Sequence, residues 1–422
     1  MRHQRALTLG LIAGIALWAA TCKSDGPTPP PPPPGQPAVD AGFDMPAEVG
    51  RTVSFTARIT PAQGASATDY HWTLAWGDGA VDSGAVDQSG MLSTTHTYTG
   101  VGQFGLRLGA HGAGAADTGW DTATVSVAAS GTPQVFIGAG DIGECGKVHS
   151  SKTAAVIEAT PGTVFTLGDN AYPTATLSDF ENTSGIGCWA NTWGKFKKRI
   201  HPTPGNHEFQ EYPKDSTGDG YFGYFGVAAH TQPIGDYSYD VGAWHIIVLN
   251  SSFLESEPLG RALNINTQLA WLSSDLAAHP ATCTLAMWHH PHISSGPTHG
   301  ADPAETGPTK PFWDTLYAHG ADVILSGHEH NYERFAPQQS DGTADPTNGI
   351  REFVAGTGGG GYDTLATIKL PNSEVSTTEH GVLKFTLSPG SYHWEFIPTS
   401  GPLGELDPST FMFTDSGTAS CH

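Results

Sequence analysis

The sequence predicts two architectures in series, an all-β sandwich followed by a layered α/β domain. Three observations carry that prediction. Residues 38–129 alternate polar and apolar side chains in short runs separated by Gly and Asp turns, the period-two pattern of half-buried strands. Residues 132–422 interleave short apolar runs with helical patterns, as expected when strands and helices stack in layers. At 422 residues the chain is also long for a single domain.

The N-terminus carries Arg2 and Arg5 ahead of an apolar run, Ala6 to Ala20. That run is shorter than the roughly 18–20 residues a membrane-spanning helix needs, so residues 1–22 read as an export signal. Its end puts Cys22 where a bacterial lipoprotein signal carries its lipidated cysteine. Membrane attachment through Cys22 and plain secretion by cleavage nearby both stay open. The expected location is the periplasm, the outer membrane as an anchored lipoprotein, or the extracellular space. Residues 23–37, with prolines at every position from Pro29 to Pro34, form a polyproline-II spacer that would hold a domain off a membrane.

Within residues 38–129 the runs Thr52–Ile59, Asp69–Trp76, Gln103–Ala110 and Thr122–Ala129 are the expected strands. Tyr70–Gly79, ending in a Trp-Gly-Asp-Gly turn, and His96–Leu108, opening His-Thr-Tyr, resemble a PKD domain, an immunoglobulin-like module of surface proteins. The resemblance implies an immunoglobulin-like sandwich that would contact surface glycans or proteins. His71, His96 and His111 read as ordinary strand or turn residues.

The charge balance narrows the partners. With 41 acidic against 19 basic residues the formal charge is −22, which argues against a nucleic-acid partner, whose backbone needs clustered Lys and Arg. A phosphate substrate stays compatible if metal ions supply the local positive field. Besides Cys22 there are four cysteines, 145, 188, 283 and 421, an even number that suits two disulfides in an oxidising compartment. Of the three pairings, Cys145–Cys188 with Cys283–Cys421 is the expected one, the second tying the C-terminus to a core strand.

From residue 132 the elements follow in order. Val135–Gly143 is a buried strand emptying into a loop, His149–Ala159 a helix, and Thr163–Tyr172 a second strand with its loop. Trp244–Ser252, Cys283–Pro291 and Ala321–His330 repeat the strand-and-loop pattern. Asn264–His279 is an amphipathic helix capped by Asn266 or Thr267, with Leu269, Leu272 and Leu276 on one face. Thr309–Gly320 reads as another helix, and Gly381–Pro398 as a hairpin around Pro389-Gly390.

Four of the buried strands finish in a turn bearing a group that binds metal well: Asp141, Asp169 with Tyr172, His289, and His328 with His330. A further turn, Pro204-Gly205-Asn206-His207-Glu208, adds Asn206 and His207. In a layered α/β domain such turns gather at one edge of the sheet, so ligands distant in sequence converge. The order Gly-Asp-Ile-Gly, Gly-Asp-Asn-Ala-Tyr, Gly-Asn-His-Glu, His-His-Pro and Gly-His-Glu-His resembles the purple acid phosphatases, within the calcineurin-like metallophosphoesterases. The resemblance implies a four-layer metallophosphoesterase sandwich, two β-sheets flanked by helices, over residues 132–422.

It further implies two metal ions. Fe(III) would sit among Asp141, Asp169, Tyr172 and His330, and a divalent Zn, Mn or Fe(II) among Asp169, Asn206, His289 and His328, with Asp169 shared. The implied activity is that of an acid phosphatase, hydrolysis of a phosphate ester by a metal-activated hydroxide. His207 would protonate the leaving oxygen or stabilise the transition state, and His299 would be a second histidine facing substrate. His290 reads as structural or supporting, His292 as a second group within reach of substrate, His245 as a satisfied core histidine. Glu329 is expected to point away from the metals, Glu333 and Arg334 to pair with each other, and Trp189 to rim the pocket or join the core. The glycine run 356–361 lacks the Lys-Ser/Thr and following helix of a phosphate loop and reads as a turn beside the site. Two rival functions are a phosphodiesterase or nucleotidase of the same fold, and a surface-binding protein in which the PKD-like module does the work.

Overall fold

The computed structural model describes residues 36–112, 118–209, 217–230, 232, 234–252, 258–300, 307–361, 364–399 and 413–422. The expected signal, Cys22 and all but the last two residues of the proline-rich spacer lie outside them.

Strands up to Ala128 make two facing sheets. One is three-stranded, Ala38–Asp40, Thr52–Thr60 and Met91–Thr97; the other runs in the spatial order Met45–Glu48, Thr118–Ala128, Gly102–His111, His71–Ala75, Val81–Ala85. Alternate residues of each, among them Phe55, Ile59, Leu74, Leu106, Leu108 and Val125, close a shared apolar core around Trp76, as the period-two pattern requires.

Strands from Gln134 onward build two larger sheets. The six-stranded sheet has the order Ile200–His201, Thr163–Thr166, Gln134–Ala139, Gly381–Ser388, Ser391–Pro398, Asp415–Ser420; its first three strands are parallel. The seven-stranded sheet runs Tyr237–Val241, Trp244–Val248, Cys283–Met287, Val323–Ser326, Arg351–Ala355, Tyr332–Phe335, Ser373–Thr377, parallel across its four central strands. Their inner faces meet through Phe136, Phe165, Trp244, Leu285, Leu325 and Phe353. The outer faces are covered by helices, His149–Ala159 on one side and Pro258–Ala278 with Lys310–Ala318 on the other. This is the four-layer sandwich the sequence led us to expect, preceded by an all-β sandwich.

Both expected disulfides are formed, Cys145–Cys188 and Cys283–Cys421. The helix expected to start near Asn266 begins earlier, at Pro258. Leu272 and Leu276 are buried on its inner face and Leu269 packs against the same cluster. No helix among the described residues is long and apolar enough to cross a membrane.

The two units are in contact. Lys198 Nζ reaches Asp121 Oδ2 at 3.1 Å and the Gly42 carbonyl at 3.0 Å, Arg51 donates to the Gly242 carbonyl at 2.6 Å, and the Val227 amide donates to Asp40 at 2.9 Å.

Candidate metal centre

Parallel strands deliver their C-terminal ends to one edge. Gln134–Ala139 leads through Gly140 to Asp141, Thr163–Thr166 through Gly168 to Asp169, Cys283–Met287 to His289, and Val323–Ser326 through Gly327 to His328. Three of these four residues occupy the left-handed region without being glycine: Asp141 (φ 59°), Asp169 (φ 49°) and His328 (φ 69°). Each such backbone costs on the order of 1–3 kcal/mol and persists only where its surroundings over-determine it. Here the turns hold one another. The Asp141 amide donates to the Gly168 carbonyl at 3.0 Å, and the His328 amide to Asp141 Oδ2 at 2.8 Å. Gly168, itself at φ 88°, lies so close to Gly205 and to the His289 ring that a Cβ there would strike both.

All seven predicted ligands join one connected cluster. Tyr172 OH lies 3.0 Å from Asp141 Oδ1, 3.2 Å from Asp169 Oδ2 and 3.1 Å from His330 Nε2. His330 Nε2 is 3.2 Å from Asp141 Oδ1. On the other side of Asp169, His289 Nε2 lies 3.5 Å from its Oδ2, 2.9 Å from Asn206 Oδ1 and 3.1 Å from His328 Nδ1. Asp169 therefore sits between the two groups.

The ring orientations follow from backbone carbonyls, which only accept. His289 Nδ1–H donates to Leu167 O at 2.6 Å and His330 Nδ1–H to Gly361 O at 3.1 Å, so each presents Nε2 to the cluster, the arrangement that fixes metal-binding histidines. His207 is held likewise, Nδ1–H to Pro173 O at 2.5 Å, with Nε2 3.7 Å from Asp169 Oδ2 and its ring edge against Tyr172. The His299 ring lies 4.1 Å from that of His328.

The electrostatics are those of a site built for cations. Asp141 and Asp169 are buried, yet among the described residues no Lys or Arg pairs with either. Burial works against the ionised Asp169 carboxyl, but His289 and His207 hold it well below the usual carboxylate range. His289 is in turn pushed up to about 10, the pull of Asp169 outweighing its own desolvation. Burial and the nearby His289 keep His328 well below the ordinary imidazole value. Burial, then Asp141 and Asp169, push the Tyr172 phenol well above 10, so a phenolate here needs a cation strong enough to overcome all three. Asp169, His289 and His328 each bring a ligand atom within 4.8 Å of the others. The donors fit two ions: carboxylates and a phenol on one side, an amide and two imidazoles on the other.

Glu208 is a residue the sequence reading passed over. Its buried carboxylate accepts from the amides of Asp169 (3.0 Å), Asn170 (2.8 Å) and Gly205 (2.6 Å), clamping two ligand turns together. In the sequence its sole sign is the acidic residue closing Gly-Asn-His-Glu. Glu329 turns to the segment carrying His299 and accepts from the His299 amide at 2.8 Å. His290 is buried, with Nδ1 2.8 Å from Ser251 Oγ.

Two expectations are corrected. Glu333 and Arg334 do not pair, because adjacent strand residues face opposite sides. Glu333 accepts from the Ser295 amide at 2.8 Å, while Arg334 Nε reaches Asp415 at 2.8 Å. His292 Nε2 bonds to the Ser340 carbonyl at 2.8 Å and its ring rests near Trp313 under the outer helix layer. Of the two places expected for Trp189 it takes the core, wholly buried beside Phe180 and Phe225. The glycine run lies beside the site as a turn: the Gly360 amide donates to Asp141 O at 2.7 Å.

The fold and this cluster define the class. Residues 127–332 match the family model of the calcineurin-like phosphoesterases, and the chain carries a calcineurin-like metallophosphoesterase domain. Its relatives include purple acid phosphatase 22 of Arabidopsis thaliana, 25% identical over 290 residues, covering 60% of this chain and 64% of that protein. Purple acid phosphatase 15 of the same plant is 23% identical over 221 residues, 46% of this chain and 40% of the relative. The matched stretches thus span less than two thirds of these relatives. Among solved structures, a purple acid phosphatase from yellow lupin (Lupinus luteus) seeds superposes with a TM-score of 0.60 at 16% identity, over 91% of this chain and 74% of that one, a likeness of fold.

Proposed function

We propose that this chain is an exported, metal-dependent phosphatase that hydrolyses phosphate monoesters at a two-metal centre of the acid phosphatase type. The observation that carries the reading is the connected cluster of seven donors around Asp169, with two buried carboxylates that no Lys or Arg among the described residues balances. Asp141, Asp169, Tyr172 and His330 would hold Fe(III), a hard ion suited to carboxylate and phenolate, and Asp169, Asn206, His289 and His328 a divalent Zn, Mn or Fe(II). When bound, two such ions supply charge to offset that of a phosphate group and lower the pKa of water.

The chain's own residues act around that centre. His207, tethered at Nδ1 by Pro173 O, can in its doubly protonated form donate from Nε2 to a leaving oxygen. His299, its ring 4.1 Å from that of His328, would hold a phosphate oxygen. Glu208 and Glu329 position the turns through backbone amides. Two disulfides support an oxidising compartment. The Trp-Gly-Asp-Gly turn at residues 76–79 supports a PKD-like role for the N-terminal sandwich at a surface.

The test is to purify the full chain, count its metals by mass spectrometry, and compare p-nitrophenyl phosphate with bis-p-nitrophenyl phosphate. Monoester turnover with two ions per chain is expected, and His207→Asn should lower kcat by about 100-fold, the scale of a lost general acid, with both ions retained. Turnover of the diester alone would replace the monoesterase with a phosphodiesterase. No turnover of either ester with both ions bound would leave the surface-binding reading.

A further inference from the structure

A second cluster of metal-binding side chains lies away from the candidate centre, where the two units meet. In the strand Trp244–Val248, Trp244, Ile246 and Val248 join the inner core, so His245 points to the opposite, helix-covered face. The helix Pro258–Ala278 crosses that face and brings Asp275 there, with His279 one turn further on at its end. His245 Nε2 lies 2.8 Å from Asp275 Oδ2, and His279 Nδ1 lies 3.1 Å from Asp275 Oδ1; His279 Nδ1–H also donates to the Asp275 carbonyl at 3.0 Å, a bond that coordination through Nδ1 would replace. The two imidazole rings are stacked with centroids 5.0 Å apart. All three ligand atoms lie within 4.8 Å of one another.

We propose that His245, Asp275 and His279 form a third divalent-metal site, of zinc type, separate from the candidate catalytic centre. Two imidazoles and a carboxylate are a ligand set zinc takes in sites that keep a fourth position open. The surrounding groups are arranged as supports for such ligands. His245 Nδ1–H donates to Asp240 Oδ1 at 3.0 Å, leaving Nε2 for the ion, and Ser238 Oγ donates to Asp275 Oδ1 at 2.8 Å. A carboxylate behind a histidine is the common partner of a metal-bound imidazole. The N···O separations match those in the candidate catalytic cluster, 2.9 Å for His289–Asn206 and 3.2 Å for His330–Asp141.

His245 and Asp275 are buried while the His279 side chain is half exposed, so water and ions have a way in. A cavity of about 360 Å³, lined by His245, His279, Asp240 and by Glu48 and Arg51 of the sandwich, opens beside them. The ion would fasten the strand to the end of the helix at the floor of the junction between the two units.

The full chain, stripped with a chelator and dialysed against micromolar Zn(II) alone, is crystallised and its anomalous scattering recorded at the zinc edge. An anomalous peak among His245, Asp275 and His279 is expected, located independently of any peak at Asp169. His279→Ala, a change at the exposed end of a helix that should leave folding intact, should bind one zinc fewer per chain than the parent and lose that peak. It should also show a smaller rise in Tm on zinc addition. Zinc confined to the Asp169 centre in the parent, or equal stoichiometry in parent and variant, would overturn the proposal. Failure of the catalytic reading would show instead as a missing peak at Asp169.

Discussion

At the scale of single residues, the candidate centre depends on atoms that are absent as much as on the ligands. A methyl group at Gly168 would strike the His289 ring and the Gly205 backbone, and the residue holds φ 88°, where an L side chain is strained. Gly168→Ala should therefore displace the Asp169 turn. The expected result is loss of one or both bound metals by mass spectrometry, with the protein less stable by about 1–3 kcal/mol in urea unfolding. A fold-neutral, metal-replete Gly168→Ala would contradict the close packing described. Tyr172 makes a spectroscopic prediction. Its hydroxyl is hemmed in by Asp141, Asp169 and His330, so only a strongly polarising cation would ionise it. Iron-loaded protein should show a visible tyrosinate charge-transfer band that Tyr172→Phe abolishes; a band that survives the substitution would place the phenolate elsewhere.

At the scale of elements, the disulfides join parts that the sheets alone do not. Cys283 opens a strand of the seven-stranded sheet and Cys421 follows the last strand of the six-stranded one, so their bond staples the two central layers across 138 residues of chain. Replacing both by Ser should cost about 2–5 kcal/mol by the loop-entropy argument, read as a lower urea midpoint, with the catalytic cluster's metals retained. Loss of metals in that variant would show that the staple also sets the ligand geometry. The elements that place the site were legible because each is a short apolar run breaking into a Gly-flanked polar turn, a pattern local to about ten residues. The strands Tyr332–Phe335, Arg351–Ala355 and Ser373–Thr377 were not. Their polar residues Glu333, Glu352 and Arg334 are buried against partners distant in sequence, such as Asp415 for Arg334, and this removes the alternation that marks a strand. The supporting roles of Glu208 and Glu329 were hidden for a similar reason. Both act on backbone amides brought near by folding, which leave no trace in the sequence around them.

At the scale of the whole molecule, the junction between the sandwich and the metallophosphoesterase domain sets an acid limit on stability. His201 ends the edge strand of the six-stranded sheet, wholly buried, its ring stacked 3.8 Å from Tyr239 and tilted against Phe43 of the sandwich at 4.0 Å. Burial, then the nearby His230, holds it well below the ordinary imidazole value, and burial brings His230 itself down to about 4. Burial keeps the Tyr239 phenol well above 10, so it stays neutral throughout this range. Both histidines are neutral in the fold, while in the unfolded chain they take up protons near pH 6.5. Their contribution is thus complete above about pH 6.5 and is lost as pH falls toward 4, at roughly 1.4 kcal/mol per pH unit for each histidine. His201→Phe keeps an aromatic ring between Phe43 and Tyr239 and removes one of the two titrations. Urea unfolding of the metal-free protein between pH 7 and pH 4.5 should show the parent losing stability steeply and His201→Phe losing it with a slope shallower by about 1.4 kcal/mol per pH unit. Parallel slopes would mean that the junction opens to water before the ring is protonated, and that the acid limit is set elsewhere in the molecule.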